Sequence, residues 1–243
     1  MQQSDSHRVK DFFIAHSRDV TPAPVRDQGH VLYVPVSNDP EITRCCASVL
    51  SATEISRAER FAIDGDRSLF IQRRAFRRFC AVQSQASSKP LSEIIFEETE
   101  NGRPQLSEQP QFCFSFSSCR FGFLGGWSPT LGIGVDIEEQ SSDPGAAELS
   151  RLYFSEAEAK AVQGLSGQIN LEVFYQLWSL KEAALKSIGQ GLPFGLNAFG
   201  FELEPSLRVV HTPSGYGEPN AFSAHSIDVA GSCAAVVLQS GPI

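Results

Sequence analysis

The sequence predicts an α+β fold in two halves of similar order, and three observations carry that reading. Apolar residues recur at helical spacing near 66–82 and again near 172–188. Short runs of strand character follow each of these stretches. Ser128-Pro129, a turn signal, separates the two series, so that 1–128 reads as one unit and 129–243 as the other.

In order along the chain, the first thirty or so residues, with Pro22 and Pro24, read as a strand-poor extension of the first half. Arg60-Phe61 leads into the helix near 66–82, Ser87-Ser88-Lys89-Pro90 is a loop, and strands are expected at 94–98, 112–117 and 120–127. The second half opens with a strand at 133–138 and a polar loop over 141–145. Tyr153-Phe154 then leads into helices near 155–164 and 172–188, followed by strands at 199–204, 207–211, 221–228 and 233–239. The parallel order hints at an internal repeat, although residue identity between the halves is slight.

The strand at 133–138 carries chemistry. Ile133, Val135 and Ile137 alternate with Gly134, Asp136 and Glu138, so a period of two puts the aliphatic side chains on one face and both acids on the other. On this reading Asp136 lies on an exposed strand face. Two hard oxygen ligands this close suit Mg²⁺, which is commonly held by one or two carboxylates with substrate phosphates completing its shell. Solvated acids at a strand end feeding a polar loop account for the same residues equally well, since Asp-x-Glu is a common pattern.

The helix near 172–188 tips the balance. Phe174, Leu177, Trp178, Ala184, Leu185 and Ile188 form one broad apolar stripe, and Lys181 falls inside it. A lysine there must snorkel or meet an anion, because burying an unpaired ammonium is costly. Glu182 sits at the stripe's edge with Lys186 one turn on, an i,i+4 pair that as a surface feature contributes only a few tenths of a kcal/mol. Gly189, Gly191 and Pro193 stop the helix.

Together Gly134-Val135-Asp136-Ile137-Glu138, Phe154-Ser155-x-x-Glu158 and Trp178-x-x-Lys181-Glu182-Ala183-x-x-Lys186 resemble the signature of the 4′-phosphopantetheinyl transferases, in particular their larger, Sfp-type members. The resemblance extends upstream through Leu50-Ser51, Arg57, Arg60-Phe61, Asp66-Arg67 and Asn101-Gly102-Arg103-Pro104, and downstream through Gly189-x-Gly191-Leu192, so that it covers about residues 50–201. It implies two similar α+β lobes related by a pseudo-twofold axis, with the active site and coenzyme A in the cleft between them. It implies transfer of the phosphopantetheine arm of coenzyme A to a serine of an apo acyl, peptidyl or aryl carrier protein, with release of adenosine 3′,5′-bisphosphate. Carried over position by position, Asp136, Glu138 and Glu182 would ligate Mg²⁺. Glu182 would also deprotonate the serine, Lys186 would stabilise or protonate the leaving phosphate with Lys181 assisting, and Glu158 is a further acid of the motif. Arg57, Arg67, Ser68, Arg103, Pro104, Ser115, Phe116, Lys181 and Lys186 are the expected coenzyme A contacts. Metal and lysines neutralising phosphoryl charge make such a scheme chemically coherent.

Two positions depart from the family pattern Phe-Asn-x-Ser-His-Ser. Phe116 stands at the histidine and Cys113 at the asparagine of the run Phe112-Cys113-Phe114-Ser115-Phe116-Ser117, and Arg103 replaces the usual lysine of Gly-Lys-Pro. Losing an imidazole–phosphate contact costs on the order of 1.5–3 kcal/mol, about ten- to a hundredfold in affinity, unless an arginine supplies the contact or Phe116 stacks on the adenine.

Composition narrows the alternatives. At 243 residues and 42% hydrophobic content the chain can bury a substantial core. A net charge of −8 argues against nucleic acid as a partner. Seven of the 20 Lys and Arg fall between Arg57 and Arg78, which can present a local anion site, although Arg73, Arg74, Arg77 and Arg78 taken singly read as the basic face of a helix. The six cysteines lack Cys-x-x-Cys spacing and read as reduced thiols; the five histidines are scattered. Without an apolar run of eighteen residues or a secretory leader, the expectation is a cytoplasmic monomer with no membrane partner. Besides an active transferase, two readings stay open: a degenerate homologue that binds coenzyme A or a carrier protein without turnover, and a different Mg²⁺ enzyme acting on phosphate esters.

Overall fold

The computed structural model describes residues 2–142, 145–164, 167–229 and 231–240, so part of the expected loop at 141–145, namely Asp143 and Pro144, lies outside the described residues. It is a mixed α+β structure in which the helices and strands expected in the second half fall close to their places, with one further helix at Ala146–Tyr153, while several elements of the first half lie beyond the sequence expectation.

The first of these is α1 (Gln2–His16), in the segment expected to be a strand-poor extension. Val9, Phe12 and Phe13 supply the i, i+3, i+4 spacing of one apolar face. Phe13 is fully buried, its ring 5.7 Å from that of Phe76 and 5.2 Å from that of Phe79. The segment therefore completes a core and is not an appendage. The two-residue strand β1 (Arg18–Asp19) follows and pairs with β2 (His30–Pro35), whose Val31, Tyr33 and Val34 are buried.

Three helices come next. The helix α2 (Pro40–Ala47) has Asp39 as its cap, accepting from the Glu41 N–H at 2.9 Å, and Pro40 in its first turn. In α3 (Ala52–Ala58), Ser51 and Glu54 form a capping box. The long α4 (Asp64–Gln83) matches the expected helix near 66–82 and buries Phe70, Ile71, Ala75, Phe76 and Phe79. A short hairpin of β3 (Phe96–Glu98) and β4 (Pro104–Leu106) turns at Gly102, whose φ of +80° favours glycine. Finally β5 (Cys113–Cys119) and β6 (Gly122–Ser128) pair with each other.

From β2 onward, the second half repeats this sequence of elements. Strand β7 (Gly132–Glu139) is followed by α5 (Ala146–Tyr153), α6 (Glu156–Gln163) and α7 (Leu171–Ser187), then by the hairpin β8 (Gly200–Glu202) and β9 (Arg208–His211), then by β10 (Phe222–Val229) and β11 (Ser232–Gln239). Strand order repeats as well. The larger sheets run β1-β2-β6-β5 and β10-β11-β7, so β6 lies between β2 and β5 as β11 lies between β7 and β10. All of these pairings are antiparallel.

Apolar packing is divided three ways. One cluster joins α1, α2 and α4 to Val34, Phe114, Phe123 and Trp127 of the first sheet. A second joins α7 to Ala235 and Val237 of the second sheet. The third draws Val31, Tyr33 and Leu124 from the first sheet and Ile133, Val135, Ile137, Val236 and Leu238 from the second. The aliphatic face of β7 is thus the face buried against the other half, as the alternation predicts. The acid-bearing face is buried too, which corrects the exposed placement expected for Asp136: α7 lies directly on it, and Asp136 is 1% exposed.

That closeness requires glycine. A Cβ on Gly134 would come within 1.8 Å of the Ala183 carbonyl oxygen, and one on Gly132 within 2.4 Å of the Ser187 carbonyl oxygen. Both obstacles are helix backbone, which cannot step aside as a side-chain tip can. Gly134→Ala is accordingly expected to destabilise the protein by about 3 kcal/mol or more, read as a lower urea midpoint at unchanged slope; a shift below 1 kcal/mol, about the cost of a mild repacking, would mean that α7 can lift off β7.

Candidate active site

Local sequence fixes α7 at both ends. Asn170 caps its start, accepting from the Val173 N–H at 3.2 Å. At its end Gly189, with φ +71°, lets the Gln190 N–H reach the Leu185 carbonyl at 2.9 Å and the Gly189 N–H reach that of Lys186 at 3.1 Å, a Schellman turn. With Gly132 and Gly134 beneath Ser187 and Ala183, the residues alongside, Glu182 and Lys186, are brought to Asp136 and Glu138.

The three carboxylates Asp136, Glu138 and Glu182 each offer a ligand oxygen, all within 4.8 Å of one another. Lys186 Nζ donates to Asp136 Oδ1 at 2.6 Å and pairs with Glu182 Oε2 at 3.4 Å. The Trp178 indole, whose ring lies tilted against those of Phe154 and Phe174, donates its N–H to Glu182 Oε1 at 3.1 Å. Burial, and then the neighbouring Asp136 and Glu182, push the Glu138 carboxyl up to about 8. Burial and Asp136 also raise Glu182, against the pull of Lys186 and Trp178. For Lys186, burial works against the charge, yet Asp136 and Glu182 hold the ammonium above its usual range. One ammonium cannot balance three crowded carboxylates.

The donor set fits a hard divalent cation. Among the described residues Asp136 Oδ2 is buried and has no hydrogen-bond partner, and an unmet buried acceptor costs free energy. Asp136, Glu138 and Glu182 are the residues that would hold such an ion.

Lys186 also lines a neighbouring cavity of ≈ 170 Å³, together with Arg77, Arg103, Pro104, Ser115 and Phe116. Five of the expected coenzyme A residues thus meet in one place. Arg77 joins them, although taken singly in the sequence it reads as part of a basic helix face. Its guanidinium lies 5.3 Å from the Phe116 ring centroid; among the described residues its Nε and one terminal nitrogen are buried without hydrogen-bond partners, that nitrogen lying 3.9 Å from a Glu98 carboxylate oxygen. Burial, with Arg74 and Arg73 close by, pulls it down to about 9, so it stays charged at neutral pH. The rest of that helix face is not solvated either: Arg74 and Arg78 are buried, Arg78 donating to Glu54 at 2.6 Å and 3.2 Å, and Arg74 pairing with Glu98 at 3.4 Å. The signal available in the sequence was Ser51-x-x-Glu54, whose carboxylate needs cations once α3 packs on α4. Phe116 packs edge-on against Phe96 and Phe76 and parallel to Phe114.

Glu138 and Glu182 line a further cavity of ≈ 250 Å³ with Leu149, Phe174, Tyr175 and Trp178. Larger cavities lie elsewhere. One of ≈ 660 Å³ holds Arg67 and Ser68, but Arg67 pairs with Asp64 and Ser68 shares a hydrogen bond with Thr43. One of ≈ 510 Å³ is bordered by Glu158. Arg57 is exposed, stacked 5.5 Å from the Phe70 centroid. These residues are not gathered with the carboxylates.

Lys181 and Glu158 form a separate unit. Lys181 meets the anion its apolar surroundings demand, Glu158 at 2.9 Å, and the pair is almost wholly buried. The remaining Lys181 donors go to the Leu196 carbonyl at 3.3 Å and the Phe199 carbonyl. Glu158 accepts in addition from the Ser155 and Phe201 N–H groups at 2.7 Å and 2.8 Å. Burial lowers the Lys181 ammonium and Glu158 opposes that. The pair ties α6, α7 and the 196–201 segment together instead of facing the carboxylate cluster.

The model of the 4′-phosphopantetheinyl transferase superfamily matches residues 132–237, which contain all three carboxylates and Lys186. A Synechocystis protein provisionally named a 4′-phosphopantetheinyl transferase is 31% identical over 153 residues, 62% of this chain and 61% of that protein. A Bacillus pumilus 4′-phosphopantetheinyl transferase is 28% identical over 141 residues, 58% and 59% of the two chains. Sfp of Bacillus subtilis, named as the same enzyme, is 30% identical over 118 residues, 49% and 51%. The resemblance read from the motifs is therefore upheld, and the chain spans about three fifths of the length of the first two of these curated relatives. Among the described residues no helix is long and apolar enough to cross a membrane.

Two outcomes are expected of this geometry. Lys181→Met leaves the Glu158 charge buried alone and should cost about 3–5 kcal/mol in urea denaturation, whereas Glu158→Gln/Lys181→Met should be less destabilised than the single variant; a double variant no better than Lys181→Met would refute the pairing. In the metal-free protein, Glu138 titrates near 8 when folded against an ordinary value of 4.5, so its proton is bound more tightly by the folded state. Stability should then fall as pH rises across that window, and added Mg²⁺ should raise the melting temperature more at the window's upper end than at its lower end.

Proposed function

We propose that this chain is a Mg²⁺-dependent enzyme that transfers the 4′-phosphopantetheine group from coenzyme A to a serine of an acyl or peptidyl carrier protein and releases adenosine 3′,5′-bisphosphate. The observation that carries the reading is Lys186, shared between the three-carboxylate cluster and a cavity walled by two arginines. A diphosphate needs that combination of cation, ammonium and guanidinium. The recurrence of element and strand order supports two lobes, 1–128 and 129–243, related by a pseudo-twofold axis, with the substrate in the cleft where β5 and β7 meet.

In this scheme Asp136, Glu138 and Glu182 hold the Mg²⁺, which when bound neutralises charge on the phosphoryl oxygens. Arg77 and Arg103 bind the phosphates of coenzyme A, with Pro104 and Ser115 as wall and Phe116 as the support of Arg77. Arg57, Arg67 and Ser68 contribute from outside this cavity, toward the nucleotide. The carrier serine oxygen bonds to the pantetheine-bearing phosphorus while the bridging P–O bond of the diphosphate breaks. Glu182, its affinity for a proton raised by burial, accepts the serine proton directly or through a water. Lys186 stabilises or protonates the departing phosphate. Lys181 and Glu158 act from the core by fixing α7. Six free cysteines suit a reducing compartment, and we assign the reaction to the cytoplasm, carried out by a monomer.

The test is the mass of an apo carrier protein incubated with coenzyme A, Mg²⁺ and the full chain. An increase by one phosphopantetheine group is expected, abolished by Asp136→Ala. Coenzyme A binding by calorimetry without any mass increase would establish a non-catalytic binder, and absence of both would leave the carboxylates to a different phosphoester substrate. Arg77→Ala should raise the KM for coenzyme A about ten- to a hundredfold while changing kcat far less, because it removes a phosphate contact made throughout the reaction. An unchanged KM would remove Arg77 from the site.

A further inference from the structure

We propose that Ser117 is a positioning residue for the divalent cation: it holds the Asp136 carboxylate so that Oδ2 alone is offered to the ion. The inference rests on the metal reading above. Ser117 belongs to β5, the edge of the first sheet, whereas the three carboxylates lie on β7 and α7 of the second half. Its Oγ donates to Asp136 Oδ1 at 2.8 Å, and Lys186 Nζ donates to the same oxygen at 2.6 Å. Asp136 Oδ2 is left buried and, among the described residues, without a hydrogen-bond partner.

That asymmetry is informative. A buried carboxylate with two donors on one oxygen and none on the other would gain by sharing them, since an unmet buried acceptor costs about 1–3 kcal/mol. The two donors approach from different elements, one from β5 and one from α7, and together they oppose rotation of the carboxyl group. Oxygen Oδ2 is thereby fixed in direction, which is what a metal ligand requires of its supporting shell.

The strand that carries Ser117 is itself pinned to β7. No backbone ladder joins β5 and β7 among the described residues, because they belong to different sheets. Side chains do the joining. Ser115 Oγ accepts from the Val135 N–H at 3.0 Å, and Ser117, two residues on and so on the same face, reaches Asp136. The first half of the chain contributes no carboxylate to the cluster, yet through this hydroxyl it aims one of them.

The experiment titrates Mn²⁺ alone against the full-length chain and counts free Mn²⁺ by electron paramagnetic resonance, with melting curves in EDTA recorded in parallel. The wild type should take up one ion, Ser117→Ala should bind it on the order of tenfold more weakly at a little-changed melting temperature, and Ser117→Thr, which keeps the hydroxyl, should recover most of the loss. Equal Mn²⁺ affinity in wild type and Ser117→Ala overturns the inference and leaves the metal reading standing. Equal weakening by Ala and Thr, or a loss matched by a fall in melting temperature in both variants, overturns it in favour of a packing role. A wild type that takes up no Mn²⁺ overturns the metal reading itself, and the inference with it.

Discussion

Backbone contact between α7 and β7 is the constraint on which the proposed site depends. A helix usually stands off a sheet by the depth of the side chains between them. Here two glycines, Gly132 and Gly134, remove that layer, and the helix carbonyls of Ala183 and Ser187 sit where Cβ atoms would be. The carboxylates Asp136 and Glu138 of the strand and Glu182 of the helix can therefore share one small volume with Lys186. Crowding like charges in this way is unfavourable in itself, as the raised Glu138 and Glu182 carboxyls record. The second apolar core and the buried Lys181–Glu158 pair supply the packing that holds α7 in place against that repulsion.

The recurrence of elements has a chemical counterpart. In both halves a serine-capped helix start provides a glutamate three residues on, Glu54 after Ser51 and Glu158 after Ser155. In both, that glutamate leaves the helix surface to neutralise cations of the long helix that follows, Arg78 in one case and Lys181 in the other. One residue thus satisfies the backbone of its own helix and the charge of the next. Each half uses this device to lock its short helix to its long one.

Much of the second half was legible because its elements obey simple periodicities. The alternation through 133–138 and the stripe from Phe174 to Ile188 each place a polar group where only a partner could explain it, and Lys181 inside an apolar stripe found Glu158. The first half was harder to read. The faces of α1 and α4 are mixed, since α4 buries Arg74 and Arg78 alongside Phe76 and Phe79. A buried arginine looks the same in a sequence as a solvated one until its acid is located. The burial of Asp136 was hidden for a related reason: alternation tells which residues share a face, not what covers that face.

The pairing of Arg77 with Phe116 carries one more consequence. A histidine at position 116 would change charge between about pH 5 and 8, the range in which an imidazole titrates. The phenyl ring cannot, and the guanidinium it supports is drawn down only to about 9. Neither member of this pair therefore changes charge between a mildly acidic and a neutral medium. A hydrocarbon ring at this position gives the guanidinium a support whose own charge is zero at every proton concentration.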